Sequence, residues 1–292
     1  MTDTLEAGLK IGTYQVIEPI GRGGMAGVWA VQDEAGHRYA LKSPASGLRA
    51  DPGTWRRFAR EAKAMCLIDH PNVVSVVDVF VEAESLYLVM ELVGGSTLDK
   101  LFVRAPLSPR RALDIARQLL DGIGHAHALG FVHRDLKPAN IMVVATAEGE
   151  RVKILDFGIV KLIGEAEAAM GGEKLTRSGN VTGTPAYMAP EQVIGRSVDG
   201  RTDLYSLGIL LFQMLSGHLP FQHRDLLELM RMQVKMQPPA LDAVAHGQPW
   251  CTPELAALVA GALVKEPAER FANAQAMTAA LDRASRSLDQ LV

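Results

Sequence analysis

The sequence predicts an α+β fold in two parts: a smaller N-terminal part built on an antiparallel sheet, and a larger, mainly helical part after it. Short apolar segments separated by Gly or acidic turns favour strands in the first part, and one helical segment, residues 52–68, interrupts them. After Gly94 and Gly95 the periodicity becomes helical, starting at Ser108 and Pro109, a pair typical of a helix N-terminus. The predicted strands are residues 14–20, 28–32, 38–42, 73–80 and 86–90.

Length, composition and charge are those of a globular chain. The 292 residues, 48% of them hydrophobic and 22% charged, suffice for two modest lobes or one large domain. The formal net charge of −3 gives no electrostatic basis for binding nucleic acid. The two cysteines are typical of a reducing compartment rather than of a disulfide scaffold. No stretch reaches the roughly 18 uncharged apolar residues of a membrane helix, so we expect no membrane contact within this chain.

A glycine-rich stretch lies between the first two predicted strands. Its glycines would let backbone N–H groups approach phosphate oxygens, although a flexible hairpin turn is an equally good interpretation of the stretch alone. A dinucleotide-binding loop leads into a helix and a P-loop ends in Gly-Lys-Ser/Thr, whereas this stretch leads into a strand and lacks that lysine. The stretch consists of Gly21, Arg22, Gly23, Gly24, Met25, Ala26, Gly27 and Val28.

The next predicted strand carries a lysine, Lys42. A strand lysine is more often a solvated charge at a sheet edge, but it can hold phosphate when an acidic partner lies nearby. Glu61, on the predicted helix 52–68, is the candidate partner. The alternative for Glu61 is a helix glutamate that faces solvent, and these residues alone favour that alternative.

The most specific motif spans residues 133–140 and matches the pattern His-Arg-Asp-Leu-x-x-x-Asn. Five fixed residues at set spacing arise by chance in about one chain in 10⁴ of this length. Asp135 can accept or orient the proton of an attacking hydroxyl, Asn140 can turn an amide oxygen toward a metal ion, and Lys137 can neutralise a transferring phosphoryl group. Sixteen residues after Asn140, Asp156 begins an Asp-Phe-Gly triplet behind an apolar run and would face the same metal.

In this order, the motifs resemble those of the eukaryotic-like protein kinases over about residues 12–281. The Gly-Gly-Met of the glycine-rich stretch and residues 183–192 are most similar to the bacterial serine/threonine branch. The resemblance implies the bilobal protein kinase fold, with a small antiparallel-sheet lobe that contains one main helix and a larger, mainly helical lobe. The implied divisions are a leader at 1–13, a small lobe at 14–90, a hinge at 91–95, a large lobe at 96–285 with an activation segment at 156–191, and a tail at 286–292.

The resemblance also implies ATP with Mg²⁺, or with Mn²⁺ in its place, in the cleft between the lobes. It makes Lys42, Glu61, Asp135 and Lys137 the catalytic residues, and Asn140 and Asp156 the metal ligands. The implied nucleotide contacts are Ile20, the glycine-rich residues Gly21 to Val28, Ala40, Lys42, Met90, Glu91, Val93 and Met142. One departure from the family pattern is Ala26, which stands in place of a third glycine and need not block a phosphate contact.

Further implied roles are structural. Asp203 resembles the aspartate that braces the catalytic loop, and Arg270 matches the arginine that pairs with the glutamate of Ala-Pro-Glu, here Glu191. The motifs also carry His133 and Phe157 as structural residues.

The resemblance implies a kinase of serine and threonine in protein substrates that phosphorylates its own activation segment. Thr176 and Ser178 are the predicted phosphorylation sites, Arg134 would pair with a phosphate there, and Thr184 with Lys137 indicates serine/threonine specificity. A homodimer through the small lobes is also implied. We expect a cytoplasmic location, either for the whole protein or for one domain of a longer, membrane-anchored protein.

Two other functions are open alternatives. A pseudokinase, which would bind nucleotide or partners and signal by shape alone, would usually lack one of Lys42, Asp135, Asn140 and Asp156, whereas all four are present. A kinase of small molecules would lack the peptide-docking segment at residues 183–192, which this chain has. Both observations favour a protein kinase.

Overall fold

The structure is a computed structural model that describes residues 5–22, 26–44, 63–82, 85–101, 106–157, 185–245 and 247–291. The described residues form two compact units. The first contains residues 5–70 and Val74–Gly94, and the second contains Pro71–Val73, 95–157 and 185–291, apart from the gaps just given. No helix in these ranges is both long and apolar enough to cross a membrane.

The first unit is built on a six-stranded sheet. Its strands are β1 (Lys10–Ile11), β2 (Tyr14–Arg22), β3 (Ala26–Gln32), β4 (Arg38–Pro44), β5 (Val76–Glu82) and β6 (Ser85–Glu91). All neighbouring strands are antiparallel, and their order across the sheet is β1-β2-β3-β4-β6-β5. The predicted antiparallel sheet is therefore confirmed. The strands follow one another in sequence order only from β1 to β4, because β6 instead of β5 pairs with β4 and β5 lies at the edge.

Most strand ends lie within two residues of the sequence prediction, and two differences are larger. The fourth predicted strand starts at Val76 instead of Val73, because Val73 forms a parallel bridge with Ile154 and belongs to the second unit. The predicted leader contributes the edge strand Lys10–Ile11. Most of the predicted helix 52–68 lies outside the described residues; of its last part, Ala64–Leu67 form a turn of 3-10 helix.

One face of the sheet has an apolar core of its own. Trp29 lies opposite Leu41, and Leu41 lies opposite Val89, so these three side chains point to the same face. At most 8% of each is exposed, and the other buried members of the cluster are Ile11, Tyr14, Val16, Val31 and Tyr87. Because successive side chains of a strand alternate between faces, the residues between them point the other way.

The second unit is mainly helical. Its helices are α1 (Leu98–Leu101), α2 (Pro109–Ala128), α3 (Pro190–Val193), α4 (Gly200–Ser216), α5 (Leu226–Lys235), α6 (Leu241–Val244), α7 (Pro253–Ala262) and α8 (Ala274–Asp289). Helix α2 begins at Pro109 with Ser108 before it, as predicted. A small sheet in this unit consists of β7 (Ser96–Thr97), β8 (Ile141–Thr146) and β9 (Gly149–Ile154).

Helix α4 runs through the core of this unit. The side chain of Asp199 caps its N-terminus by accepting a hydrogen bond from Arg201 N, and Gly217 ends it with φ 78° in the left-handed region. It packs against α2, α7 and α8, so residues around its whole circumference are buried. Polar groups on such a helix need hydrogen-bond partners inside the protein. Those groups belong to Thr202, Asp203, Tyr205 and Ser206.

A buried ion pair links α3 to the chain just before α8. Arg270 Nη1 and Nη2 donate to Glu191 Oε1 and Oε2 at 2.8 and 2.7 Å, and Thr202 Oγ1 donates to Glu191 Oε1 at 2.8 Å. Burial alone would raise the pKa of Glu191, but these hydrogen bonds and the charge of Arg270 hold it below its usual value. The two residues that the resemblance pairs are thus in direct contact.

A partly buried lysine lies near this ion pair. Lys265 Nζ lies 4.3 Å from the centre of the Phe221 ring and donates to Tyr205 Oη at 2.9 Å. Burial, and then the positive charge of Arg270, lower the pKa of Lys265 to about 8. The folded protein therefore releases this proton at a lower pH than the unfolded chain does.

We expect the free energy of unfolding to rise with pH between about 8 and 10 more steeply in the wild type than in Lys265→Met. An unfolded lysine has a pKa of about 10.4, so the unfolded chain binds more protons in this window and stability increases through it. The slopes should differ by up to about 1.4 kcal/mol per pH unit. Urea unfolding at a series of pH values, followed by circular dichroism, measures them.

The matched control is Lys235→Met, which removes an exposed lysine from the end of α5. This variant should keep the wild-type slope. Equal slopes for the wild type and Lys265→Met would contradict a lowered pKa of Lys265.

Candidate active site

Four of the predicted nucleotide-contacting residues share one face of the sheet in the first unit. Val28 lies opposite Lys42, and Ala40 lies opposite Met90. Opposed residues of antiparallel strands point to the same side, and so do residues two apart on one strand, such as Ala40 and Lys42. This face is the one turned away from the apolar core around Leu41. Ala40 and Met90 are buried there, and Val28 and Lys42 are half-buried.

The start of the glycine-rich stretch belongs to the same sheet. Gly21 pairs with Val28, and Ile20 beside it is 46% exposed. At Gly27 the need for glycine is a packing need, since a Cβ there would overlap the ring of Trp29. Part of the glycine signal that indicated phosphate binding therefore reflects packing within the sheet.

The predicted hinge residue Glu91 is tied to the chain that enters β5. Its backbone N–H donates to Ser75 O at 3.0 Å, and its Oε2 accepts from Ser75 N at 3.4 Å. Val93, two residues farther on, is half-buried. These bonds fix the position at which the chain leaves the sheet.

Several predicted site residues lie outside the described residues, and their predicted roles are untested by this structure. They are Gly23, Gly24, Met25, Glu61, Thr176, Ser178 and Thr184. The side chains of Arg22 and Ala26 lie outside the description as well.

In the second unit, the residues of the most specific motif form one hydrogen-bonded group. Lys137 Nζ donates to Asp135 Oδ2 at 2.7 Å. Asn140 Nδ2 donates to Asp135 O at 2.8 Å and to Asp135 Oδ2 at 3.1 Å. The amide oxygen of Asn140 takes part in neither bond. A half-buried carboxylate therefore lies between an ammonium group and an amide whose oxygen is turned away from it.

The hairpin of β8 and β9 brings the second metal-ligand candidate close to this group. Ile141 lies opposite Ile154, and Leu155 N donates to Asn140 O at 2.9 Å. Asn140 directly precedes β8, and Asp156 follows two residues after the end of β9. The strand register therefore places the backbones of these two candidates side by side. The predicted nucleotide contact Met142 lies half-buried on β8.

His133 is fully buried and connects the motif to the chain before Asp156. Its Nδ1 accepts a hydrogen bond from Asp135 N at 3.2 Å, so its Nε2 carries the proton and donates to Leu155 O at 2.7 Å. The ring of Phe157 stands edge-on to that of His133, with 4.8 Å between the ring centres. His133 thereby links the two segments that carry Asp135 and Asp156.

The carboxylate of Asp203 holds the backbone at the start of the motif, residues 133–140. It is fully buried and accepts hydrogen bonds from His133 N and Arg134 N, each at 2.8 Å. His127 Nε2 lies 2.8 Å from it as a third partner. The residue pattern around His127 does not predict this contact, because its partner lies 76 residues farther along the chain.

The backbone is strained at two of these positions. Arg134 has φ 68° and Asp156 has φ 62°, and they are the non-glycine residues with positive φ in the described chain. Such conformations persist only where surrounding contacts impose them, and they cluster at functional sites. For Arg134 the contacts include a bond from Gln192 Nε2 to its carbonyl oxygen at 2.7 Å, which ties the motif to the segment that resembles a peptide-docking segment.

Comparisons with known proteins agree with this geometry. The family model described as the protein kinase domain matches residues 14–281. Over 277 residues the chain is 39% identical to serine/threonine-protein kinase Pkn1 of Myxococcus xanthus, covering 94% of this chain and 38% of that protein. It is 37% identical to serine/threonine-protein kinase PknB of Mycobacterium tuberculosis, covering 92% of this chain and 42% of that protein. The chain thus spans less than half of the length of these two relatives.

The crystal structure of the PknI kinase domain of Mycobacterium tuberculosis is similar to this one, with a TM-score of 0.73 at 25% sequence identity. The match covers 96% of this chain and all of that one. The predicted kinase fold is therefore confirmed, as is the resemblance to bacterial serine/threonine kinases. The chain belongs to the protein kinase domain family.

Proposed function

We propose that this chain is an ATP-dependent protein kinase that phosphorylates serine and threonine. The observation that carries the proposal is the group formed by Asp135, Lys137 and Asn140, with Lys137 Nζ 2.7 Å from the Asp135 carboxylate. Members of the family use ATP and a divalent metal ion. The curated relatives given above are serine/threonine-protein kinases, which supports the same choice of acceptor here.

The geometry supports transfer of a phosphoryl group to a hydroxyl. The Asp135 carboxylate can accept a hydrogen bond from the hydroxyl of a serine or threonine and take its proton as the new oxygen–phosphorus bond forms. The bond from the γ-phosphorus to the bridging oxygen breaks, and ADP leaves with that electron pair. The ammonium group of Lys137 lies where it can offset negative charge on the phosphoryl oxygens.

Asn140 and Asp156 are the proposed ligands of Mg²⁺, with Mn²⁺ as the alternative. A carboxylate and an amide oxygen are the hard donors that these ions take in proteins, and among the described residues the side chain of Asn140 bonds through its nitrogen. The register of β8 and β9 supports their proximity. With ATP, the bound ion supplies positive charge to the phosphate oxygens.

A protein substrate is the better proposal than a small metabolite. Residues Pro185–Tyr187 and helix α3 belong to the segment that resembles a peptide-docking segment. Gln192, at the third position of α3, bonds directly to the chain that carries Asp135. A docked peptide would thus lie on a segment held in place relative to the catalytic carboxylate.

We expect Asp135→Asn to lower kcat for phosphate transfer by about 10²- to 10⁴-fold, with little change in the affinity for ATP. The amide cannot take up the hydroxyl proton, and acid–base catalysis contributes about that factor. Transfer of radiolabelled phosphate from Mg-ATP to a generic basic protein measures the loss. Asp121→Asn, the same substitution at an exposed position of α2, should keep wild-type activity.

Label on neither the chain nor the added protein, while nucleotide still binds, would contradict kinase activity and support the pseudokinase alternative. Label on a metabolite but on no protein would contradict the choice of substrate.

We further propose autophosphorylation at Thr176 and Ser178. A phosphate on either could pair with Arg134, whose backbone is already fixed by its bonds to Asp203 and Gln192. Peptide mapping after incubation with Mg-ATP should find phosphate on at least one of the two residues in the wild type and on neither in Asp135→Asn. Phosphate confined to other residues would contradict this assignment.

A homodimer through the small lobes is also proposed. It is supported by the sheet edge at β5, where Val77 is 49% exposed and Val81 is 38% exposed. Sedimentation of the purified chain over a range of concentrations should detect a dimer that Val77→Lys weakens, and a monomer at every concentration would oppose it.

The cytoplasmic location remains a proposal, tested by fractionation of cells.

A further inference from the structure

Three successive carbonyl groups of the segment Pro185–Tyr187 are bound by side chains from two helices. Gln233 Nε2, on α5, donates to Pro185 O at 3.1 Å and to Ala186 O at 2.7 Å. Ser206 Oγ, on α4, donates to Tyr187 O at 2.8 Å. The direction of each peptide group in this segment is therefore set by a neighbouring helix.

Gln233 is itself held by a chain of hydrogen bonds. It is fully buried, and its Oε1 accepts from Tyr205 Oη at 2.8 Å. Tyr205 Oη in turn accepts from Lys265 Nζ at 2.9 Å. The protonated amine of Lys265 can only donate, so the single hydroxyl proton of Tyr205 goes to Gln233 Oε1. That bond orients the amide, and its Nε2 must then face the two carbonyl groups.

Every hydrogen-bonding group of the Gln233 side-chain amide has a matched partner. The Gln233 amide uses its oxygen for Tyr205 and both of its N–H groups for the segment, so any displacement of the segment would leave buried polar groups without partners. Helix α3, which follows this segment along the chain, is connected to residues 133–140 by the bond from Gln192 Nε2 to Arg134 O. The amide of Gln233 thus influences where a peptide on this segment lies relative to Asp135.

We propose that Gln233, oriented by Tyr205 and Lys265, is a positioning residue for the polypeptide substrate. It holds the backbone of Pro185–Tyr187 in the form that receives an extended serine- or threonine-containing peptide. The inference rests on the proposed kinase function and on the docking role of this segment. On this proposal, Gln233 affects the binding of the peptide substrate and leaves the binding of ATP unchanged.

The test compares Gln233→Met with Gln237→Met, the same substitution at an exposed position just after α5. Steady-state kinetics with one serine-containing peptide and Mg-ATP should show KM for the peptide raised roughly 3- to 10-fold in Gln233→Met, as the loss of about one net hydrogen bond gives. KM for ATP should stay within about twofold of the wild type. Gln237→Met should match the wild type in both.

Tyr205→Phe provides a second variant that keeps the ring and removes only the hydroxyl. It leaves Gln233 in place without its orienting bond, so KM for the peptide should rise in the same direction by a smaller factor. If Gln233→Met fails to fold, Tyr205→Phe decides. An unchanged KM for the peptide in the folded variant would overturn the inference, and so would an equal rise in both KM values.

Hydrogen exchange of the backbone amides at residues 185–192 separates this inference from the proposed function. A wild type that phosphorylates no peptide above the Asp135→Asn background would overturn the proposed function and the substrate role together. Faster exchange in Gln233→Met than in Gln237→Met would support the positioning of the segment even then. Equal exchange in the two variants would overturn the positioning itself.

Discussion

The arrangement of the proposed catalytic residues Asp135 and Lys137 depends on one buried carboxylate, that of Asp203. Helix α4 carries it into the core of the second unit, where it is fully buried and must be surrounded by hydrogen-bond donors. Its donors include the successive backbone N–H groups of His133 and Arg134, with the ring of His127 as the third partner. Since two of its partners are consecutive amides, Asp203 fixes the path of the main chain, and Asp135 follows directly. Core packing therefore sets the position of the proposed catalytic base.

The other polar residues near the start of α4 also fix the positions of neighbouring segments by hydrogen bonds. Thr202 binds the carboxylate of Glu191, Tyr205 orients an amide on α5, and Ser206 binds the carbonyl of Tyr187. Apolar packing alone would bury the helix but would specify its rotation weakly, since cores tolerate repacking before they lose stability. Hydrogen bonds in a low-dielectric interior are directional and costly to leave unmade, so they select one rotation. One helix thereby fixes residues 133–140 and the segment Pro185–Tyr187 in position relative to each other.

The sequence predicted those features whose parts lie close together along the chain. Periodicity predicted the strands and α2, and the spacing of Asp135 and Asn140 predicted that they form one group, which they do. The roles of His127, Gln233 and Lys265 could not be predicted in this way. Their partners lie 76, 28 and 60 residues away, and only the packing of the helices brings each pair together. Residue spacing carries no information about contacts of that kind, whereas a family resemblance does carry some, as for the pair of Glu191 and Arg270.

The strained backbone at Arg134 and Asp156 also depends on contacts between segments that are far apart in the sequence. A left-handed conformation at a residue with a side chain is unfavourable in isolation, so the surrounding structure has to impose it. Arg134 is held at its N–H by Asp203 and at its carbonyl by Gln192. The chain just before Asp156 is held by the bond from Leu155 N to Asn140 O and by the bond from the buried ring of His133 to Leu155 O. These bonds join four separate segments, which are residues 133–140, α3, α4 and the chain around Leu155. The strain is therefore maintained only in the complete fold, and the turn that orients each side chain exists only when the second unit is assembled.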